Sequence, residues 1–134
     1  MPSAVPPVVW IVDDDDDDKY LFEMAFKQLI PPVSIKLFND GEELLPALIQ
    51  HDSLPSLIIL DLNMPRVNGF EALQHLRAEP AFQKVPVIVL TTSSDYTDRE
   101  QAKRLGANGF LTKPPTMELT IKLFNQLVQE WKLT

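Results

Sequence analysis

The stretch Val8-Val9-Trp10-Ile11-Val12-Asp13-Asp14 places five apolar residues directly before a pair of aspartates. An apolar run without polar alternation is typical of a strand that is covered on both faces, as in a parallel sheet. Pro6-Pro7 precede the run and mark its beginning as a turn signal. The stretch therefore predicts a buried strand whose carboxyl end carries two carboxylates.

Four more apolar runs follow, each bounded by turn signals. They span residues 33–38, 57–60, 85–90 and 109–111. The segments between the runs carry apolar residues at helical spacing, for example Leu21, Ala25 and Leu29. Five strand–helix repeats with short links predict an α/β fold, in which a doubly wound parallel sheet of five strands has helices on both faces and right-handed crossovers.

Helix-terminating residues refine this pattern. Pro80 should stop the third helix, Gly106 should cap the fourth, and Thr116 should be the N-cap of the last. Segment 41–50 is harder to interpret because Pro46 would fall inside the helix, where proline removes a hydrogen bond. We therefore expect that helix to start late or to be distorted.

Length and composition are those of one globular domain. The chain has 134 residues, of which 45% are hydrophobic and 23% charged. We expect a single domain over residues 1–134, with residues 1–5 as a loose leader and no output domain after it. The apolar runs are far shorter than the about 20 residues of a membrane helix. Because the first basic residue is Lys19, a signal peptide would lack its cationic start, and we expect a cytoplasmic protein.

Residue types that are absent or rare exclude several chemistries. The chain has no cysteine, which excludes disulfides, thiolate catalysis and cysteine-ligated metals. The two histidines, His51 and His75, are far apart in sequence and do not have zinc-ligand spacing, so we interpret them as helix-surface residues.

The acidity of the chain is local. The net charge is −7, but six of the 19 acidic residues are the consecutive aspartates 13–18, and the other 13 nearly balance the 12 basic residues. A basic stripe that would bind nucleic acid directly is lacking. For Asp16, Asp17 and Asp18 we expect a solvated first helical turn that the helix dipole favours, with one of the three as the N-cap.

Polar residues follow four of the predicted strands. Asp13 and Asp14 follow the first strand, Asp61 the third and Lys113 the fifth, while Thr91 ends the fourth. Ligands bind beyond the carboxyl ends of the strands in open α/β sheets. Three carboxylates, a hydroxyl and an ammonium should therefore meet at one edge.

This set of side chains favours phosphoryl chemistry. Asp13 and Asp14 terminate a buried strand, where clustered carboxylates are costly without a cation, and Mg²⁺ suits a site with few carboxylates. Asp61 is then a candidate nucleophile of the aspartyl-phosphate type, although a strand-end cap is the alternative. Lys113 would neutralise the repulsion between that carboxylate and an incoming phosphoryl group, instead of being a surface lysine.

One hydroxyl at this edge is expected to donate a hydrogen bond to a phosphoryl oxygen. Thr91 is the first candidate, and Thr92 is the competing assignment.

Four segments at strand ends carry a family resemblance when they are taken together. They are residues 11–14 (IVDD), 60–69 (LDLNMPRVNG), 86–91 (PVIVLT) and 106–114 (GANGFLTKP). In this order they resemble the receiver domain of two-component response regulators, from about Val8 to Trp131. The resemblance implies a flavodoxin-like sheet of strand order 2-1-3-4-5. Residues 90–94 and the later Gly-Ala-Asn run look like single-domain, chemotaxis-regulator-like receivers of the subgroup that phytochrome-like histidine kinases serve.

The resemblance also implies a ligand set. Asp61 would be the phosphoacceptor, and Mg²⁺ would be bound by Asp14, Asp61 and the backbone carbonyl of Asn63. Asp13 would act on the metal mainly through water.

Further residues would bind the phosphoryl group or report its presence. The resemblance implies that Thr91 and Lys113 contact the group and that Phe110 stands at the position of the aromatic switch, without the hydroxyl of a tyrosine. Pro114 would fix the chain behind Lys113. Pro115 departs from the bulky apolar residue that is frequent at its position and would stiffen the start of the last helix.

The predicted function is that of a stand-alone response regulator. A histidine kinase or histidine phosphotransfer protein would donate the phosphoryl group, and the face made by helix four, strand five and helix five would change shape for a downstream protein. Apolar residues such as Trp131 could serve a homodimer or cap the core. The only catalysis expected is self-catalysed phosphotransfer and autodephosphorylation.

Two other functions stay open. A receiver-like binding module that is never phosphorylated usually lacks an acidic or lysine position, and none is lost here. A phosphohydrolase of the haloacid dehalogenase group would carry a second acid two residues after its nucleophile, where this chain has Asn63.

Overall fold

A computed structural model describes residues 7–29, 31, 33–51 and 53–133, so the leader predicted at residues 1–5 lies outside the described residues. The strands are β1 (Val8–Val12), β2 (Ser34–Phe38), β3 (Leu57–Leu60), β4 (Val87–Thr91) and β5 (Gly109–Thr112). The helices are α1 (Asp16–Lys27), α2 (Leu44–Gln50), α3 (Gly69–Ala78), α4 (Tyr96–Arg104) and α5 (Met117–Glu130). Short 3₁₀ turns precede α2 at Gly41–Glu43 and follow α3 at Pro80–Phe82. Within the described ranges, no helix has the length and apolar composition to cross a bilayer.

The sheet is parallel throughout, with the strand order β2-β1-β3-β4-β5. The predicted fold class and strand order are confirmed. The chain runs outward from β1 to β2 and then returns across β1 to β3, so the topological switch lies between β1 and β3. Ligands of such sheets bind at this point, and Asp13 and Asp61 are the residues that follow these two neighbouring strands.

Both faces of the sheet are covered, because successive residues of a strand point to opposite sides. Val9 and Ile11 of β1 belong to an apolar cluster that includes residues of α1 and α5. Trp10 and Val12 belong to a second cluster, which includes residues of α2 and α3. The unbroken apolar run that opens the chain is thus explained by burial on two sides.

The predicted helix ends are largely confirmed. Gly106 follows α4 with φ +102°, the left-handed conformation that a glycine C-terminal to a helix adopts readily. The Thr116 side chain accepts a hydrogen bond of 3.2 Å from the Leu119 amide and caps α5. The difficulty at Pro46 is resolved because α2 begins only at Leu44, which places the proline in the first turn, where its missing amide breaks no helical hydrogen bond.

The prediction that one of Asp16, Asp17 and Asp18 caps the first helix is wrong. Asp15 is the N-cap, and its side chain accepts a hydrogen bond of 2.9 Å from the Asp18 amide. The Asp15 amide in turn donates to Oδ1 of Asp13 at 2.9 Å, so the turn out of β1 is closed by the aspartates themselves. As a result, Asp18 occupies the third position of α1.

Candidate functional site

Three aspartates meet at the carboxyl edge of the sheet, as predicted. Asp13, Asp14 and Asp61 each offer one carboxylate oxygen, and these oxygens lie within 4.8 Å of one another. Asp13 is 1% exposed and Asp61 5% exposed, whereas Asp14 is open to solvent. The group is buried on one side and accessible on the other.

Backbone hydrogen bonds fix where the central residues stand. The Asp13 amide donates to the last carbonyl of β2 at 3.1 Å, and the Asp61 amide donates to the last carbonyl of β1 at 3.0 Å. The Lys113 amide donates to the last carbonyl of β4 at 2.7 Å. Each residue is the first beyond its own strand but is still bonded to the neighbouring strand, so the sheet holds these three positions rigidly.

The Lys113 ammonium is surrounded by carboxylates. Its Nζ atom lies 2.8 Å from Oδ2 of Asp13 and 3.2 Å from Oδ2 of Asp61, and both of these contacts agree with the predicted edge. A third contact, 2.6 Å to Oδ2 of Asp18, was not expected. Because an ammonium carries three donors, each carboxylate can accept one of its N–H groups.

The prediction of a solvated side chain is therefore wrong for Asp18, while Asp16 and Asp17 are exposed. The capping residue explains the difference. With Asp15 as the N-cap, the third residue of α1 reaches back to the sheet edge. The Asp13–Asp15 hydrogen bond that sets this start is not visible in an unbroken run of six aspartates.

Burial and pairing shift two pKa values at the site. Burial raises the pKa of Asp13 to about 6, although its hydrogen bonds with Lys113 and Asp15 oppose that shift. Burial alone would lower the pKa of Lys113, but the hydrogen bonds to Asp13 and Asp18 outweigh it and hold the pKa above its ordinary value. Lys113 thus remains a cation, and burial makes the negative charge of Asp13 costly.

The two carboxylate oxygens of Asp61 have different partners. Oδ1 accepts a hydrogen bond of 2.8 Å from the Leu62 amide, while Oδ2 faces Lys113. The start of α3 presses against the same residue, because a Cβ atom on Gly69 would lie 2.3 Å from the Asp61 carbonyl oxygen. Only glycine fits at this approach without a backbone shift.

Asp40 shapes the loop between β3 and α3, and sequence reasoning missed it. Its carboxylate is buried and accepts hydrogen bonds from the amides of Arg66 at 3.0 Å, Val67 at 2.8 Å and Glu42 at 3.0 Å. Burial would raise the pKa of Asp40, but these three donors prevail and lower it. Its position two residues after the end of β2, at the same sheet edge, was the available signal.

The predicted switch residues lie beside the site. Thr91 is fully buried at the end of β4, whereas Thr92 is exposed. Phe110 is half-buried and packs against a small cluster that includes Val89. The Arg99 guanidinium lies 5.5 Å from the centre of its ring. The ring therefore links β5 to α4.

The remaining predicted residues have clear positions. Asn63 is exposed and, with Asp14, lines an open cavity of about 480 Å³ beside the carboxylates. Pro114 is half-buried and Pro115 exposed in the link from β5 to α5. The two histidines, His51 and His75, are exposed, in agreement with their predicted surface role.

The donor set fits a hard divalent cation. Three carboxylate oxygens within reach of one another, one of them solvent-exposed, are ligands that Mg²⁺ accepts together with water. Burial raises the pKa of Asp13, and the nearby Asp61 carboxylate adds to that rise, so a cation at this edge would favour the ionised form of Asp13. Asp13, Asp14 and Asp61 are thus the residues that could hold such an ion.

Comparison with known proteins agrees with this geometry. Residues 9–125 match the response regulator receiver domain. The protein PilH of Pseudomonas aeruginosa is 32% identical over 120 residues, which cover 90% of this chain and 96% of PilH.

Solved structures are similar over nearly the full length. The phosphorylated cyanobacterial phytochrome response regulator RcpA is 27% identical, with a TM-score of 0.87 over 95% of this chain and 94% of RcpA. The Mn²⁺-bound form of response regulator Rcp1 is 29% identical, with a TM-score of 0.83 over 94% of each chain. Sheet order, the acidic edge and the match over residues 9–125 lead to one conclusion: the chain belongs to the response regulator receiver domain family, whose members act in two-component signalling.

Proposed function

We propose that this chain is a stand-alone response regulator that accepts a phosphoryl group on Asp61 in a Mg²⁺-dependent reaction. One observation carries the proposal: Oδ2 of Asp61 lies 3.2 Å from the Lys113 ammonium, and the Asp61 carboxylate belongs to the cluster that it forms with the carboxylates of Asp13 and Asp14. A nucleophile, a fixed cation and a set of metal ligands are what phosphoryl transfer to a carboxylate requires.

The transfer forms one bond and breaks another. An oxygen of Asp61 attacks phosphorus, and the P–N bond to the donor histidine breaks. The electron pair of that bond stays on the imidazole nitrogen, which takes up a proton. Lys113 lowers the repulsion between the Asp61 carboxylate and the incoming anion. With the Leu62 amide on Oδ1, the attacking group is already oriented before the donor arrives.

The acidic edge would hold Mg²⁺ through Asp14, Asp61 and the backbone carbonyl of Asn63, with Asp13 acting mainly through water. When bound, the ion neutralises negative charge on the phosphoryl oxygens. The likeness to Rcp1, whose structure is known in a Mn²⁺-bound form, supports the binding of a divalent ion.

Signalling follows from a shift between two conformations. The Thr91 hydroxyl donates a hydrogen bond to the phosphoryl group and draws the loop after β4 inward, and Pro114 holds the chain behind Lys113. Phe110 then moves relative to Arg99, which changes the face that α4, β5 and α5 share. That face is read by a downstream protein or by a second copy of the chain, in the cytoplasm.

The donor is a histidine kinase or a histidine phosphotransfer protein. The likeness to RcpA, a cyanobacterial phytochrome response regulator, makes a phytochrome-like kinase the first donor to test.

Intact-mass spectrometry tests the proposal. With Mg²⁺ and acetyl phosphate, the wild type should gain the mass of one phosphoryl group and Asp61→Asn should gain none. A wild type that stays unlabelled while a control receiver is labelled would favour the binding module that is never phosphorylated. Continuous turnover of a phosphate ester, lost in Asp61→Asn, would favour the phosphohydrolase.

A further inference from the structure

The contact between Asp18 and Lys113 is not needed for a nucleophile, a metal site or a phosphoryl-binding cation. It is nevertheless the shortest of the three ion pairs of Lys113, at 2.6 Å. We propose that Asp18 is a positioning residue that holds Lys113 in the unphosphorylated protein and releases it to the phosphoryl group. This inference rests on the proposed function of Asp61.

The number of donors makes an exchange necessary. The Lys113 ammonium has three N–H groups, and three carboxylates lie within 3.2 Å of it. A phosphoryl oxygen that arrives at Asp61 can accept a hydrogen bond from Lys113 only if one of the three carboxylates loses its hydrogen bond to the ammonium or shares that N–H group with the phosphoryl oxygen.

Asp18 is the partner that is least costly to release. Its side chain is 32% exposed, against 2% for Asp13 and 6% for Asp61. Water can solvate the Asp18 carboxylate once the ammonium leaves, while a buried carboxylate would be left without compensation. Asp18 also lies in the first turn of α1, where the helix dipole stabilises a negative charge.

The exchange makes Asp18 a competitor of the phosphoryl group. It occupies Lys113 and adds a negative charge to an edge that must accept an anion. Removal of that charge should therefore speed phosphorylation, an effect that a residue with only a structural role would not produce. Phosphorylation should in turn free the first turn of α1 from the sheet edge.

The test compares Asp18→Asn with Asp17→Asn. Both variants remove one charge from the same helical turn, but Asp17 is exposed and outside the Lys113 contacts. With Mg²⁺ and acetyl phosphate, Asp18→Asn should be phosphorylated about three- to fivefold faster than the wild type, which is the upper part of the range for an exposed ion pair because Asp18 is only partly exposed. Asp17→Asn should change the rate by less than half of that factor.

A crystal structure of the wild type with Mg²⁺ and beryllofluoride, a phosphoryl mimic, tests the exchange of Lys113 partners without any substitution. Lys113 should have left Asp18 and should contact a fluoride. If Lys113 still lies within hydrogen-bond distance of Asp18, or if Asp18→Asn is no faster than Asp17→Asn, the inference fails and the function of Asp61 stands. If the wild type accepts neither phosphate nor beryllofluoride, the proposed function fails together with it.

Discussion

The Nζ atom of Lys113 lies 2.8 Å from Oδ2 of Asp13, and both side chains are at least nine-tenths buried. Asp13 follows β1 and Lys113 follows β5, so this ion pair spans most of the sheet edge. Removal of one member of a buried pair is costly because the other member stays buried without its partner.

Lys113→Met should lower the free energy of unfolding by roughly 3 kcal/mol in metal-free buffer near pH 8. The reason is that Asp13 and Asp61 then share a buried edge without the ammonium. Urea unfolding measures the loss. Saturating Mg²⁺ should restore part of it, since a divalent ion supplies the missing charge.

The same variant separates two roles of the lysine. Lys113→Met should still bind Mg²⁺, but its phosphorylated form should bind the downstream partner no better than its unphosphorylated form. Lys122→Met is the matched control, because Lys122 is exposed on α5. The role assigned to Lys113 would be contradicted if the variant lost Mg²⁺ affinity to the same extent as it lost the effect of phosphorylation on partner binding.

Magnesium should stabilise the wild type against heat. An ion that binds only the folded state adds about 2.7 kcal/mol at a concentration one hundred times its dissociation constant. Differential scanning calorimetry at pH 8, with and without millimolar Mg²⁺, should show the rise in melting temperature.

Asp14→Asn provides the contrast, because Asp14 is exposed and its replacement leaves the core intact. That variant should lose most of the magnesium-dependent rise, while Asp17→Asn keeps it. A wild type whose melting temperature ignores Mg²⁺, or an Asp14→Asn variant that responds as the wild type does, would argue against a metal site here.

The pKa of Asp13 predicts a pH dependence of stability. The pKa rises from 3.8 in the unfolded chain to about 6 in the folded one, so the folded state favours the protonated form. Asp13 therefore adds about 3 kcal/mol to the free energy of unfolding below pH 4. This stabilisation is lost as the pH rises through 6. The difference in unfolding free energy between the wild type and Asp13→Asn in metal-free buffer, measured by urea from pH 4 to pH 8, should show this slope.

Metal binding should follow the opposite trend. Mg²⁺ competes with the proton at Asp13, so the magnesium affinity of the wild type should weaken as the pH falls below about 6. Isothermal titration calorimetry at pH 5.5 and pH 8 tests this trend.

The stability prediction for Asp13 has its own contradicting outcome. If the difference in unfolding free energy between the wild type and Asp13→Asn stays constant from pH 4 to pH 8, the buried carboxylate is better compensated than its contacts indicate.

The sequence predicted the fold because its signals are local. Apolar runs, Gly106 and Thr116 each act within a few residues, and the chain order of strands and helices then leaves few topologies. The residues at strand ends were predictable for the same reason, since a parallel sheet brings all carboxyl ends to one edge.

Asp18 and Asp40 escaped prediction because their partners are distant along the chain. Asp18 meets a lysine 95 residues away, and Asp40 holds amides 26 and 27 residues away. Their roles depend on the start of α1 and on the path of the loop before α3. Hydrophobic periodicity carries no information about either feature.

Gly69 offers a test of how tightly α3 positions Asp61, the proposed phosphoacceptor. A Cβ atom at Gly69 would lie 2.3 Å from the carbonyl oxygen of Asp61 and 2.8 Å from the Cα atom of Leu62, both of which are backbone atoms that cannot rotate away. Gly69→Ala should therefore destabilise the fold by about 1–3 kcal/mol, as overpacking does, and should slow phosphorylation by acetyl phosphate because Asp61 is displaced.

Gly109→Ala is the matched control for Gly69→Ala. Its Cβ atom would lie 2.8 Å from Cδ1 of Ile88, the end of a flexible side chain that can change rotamer. Gly109→Ala should thus cost less stability and leave the phosphorylation rate near that of the wild type. If the two variants are phosphorylated equally fast, the close approach of α3 does not control the geometry of Asp61, and the rigidity of the site must come from the sheet hydrogen bonds alone.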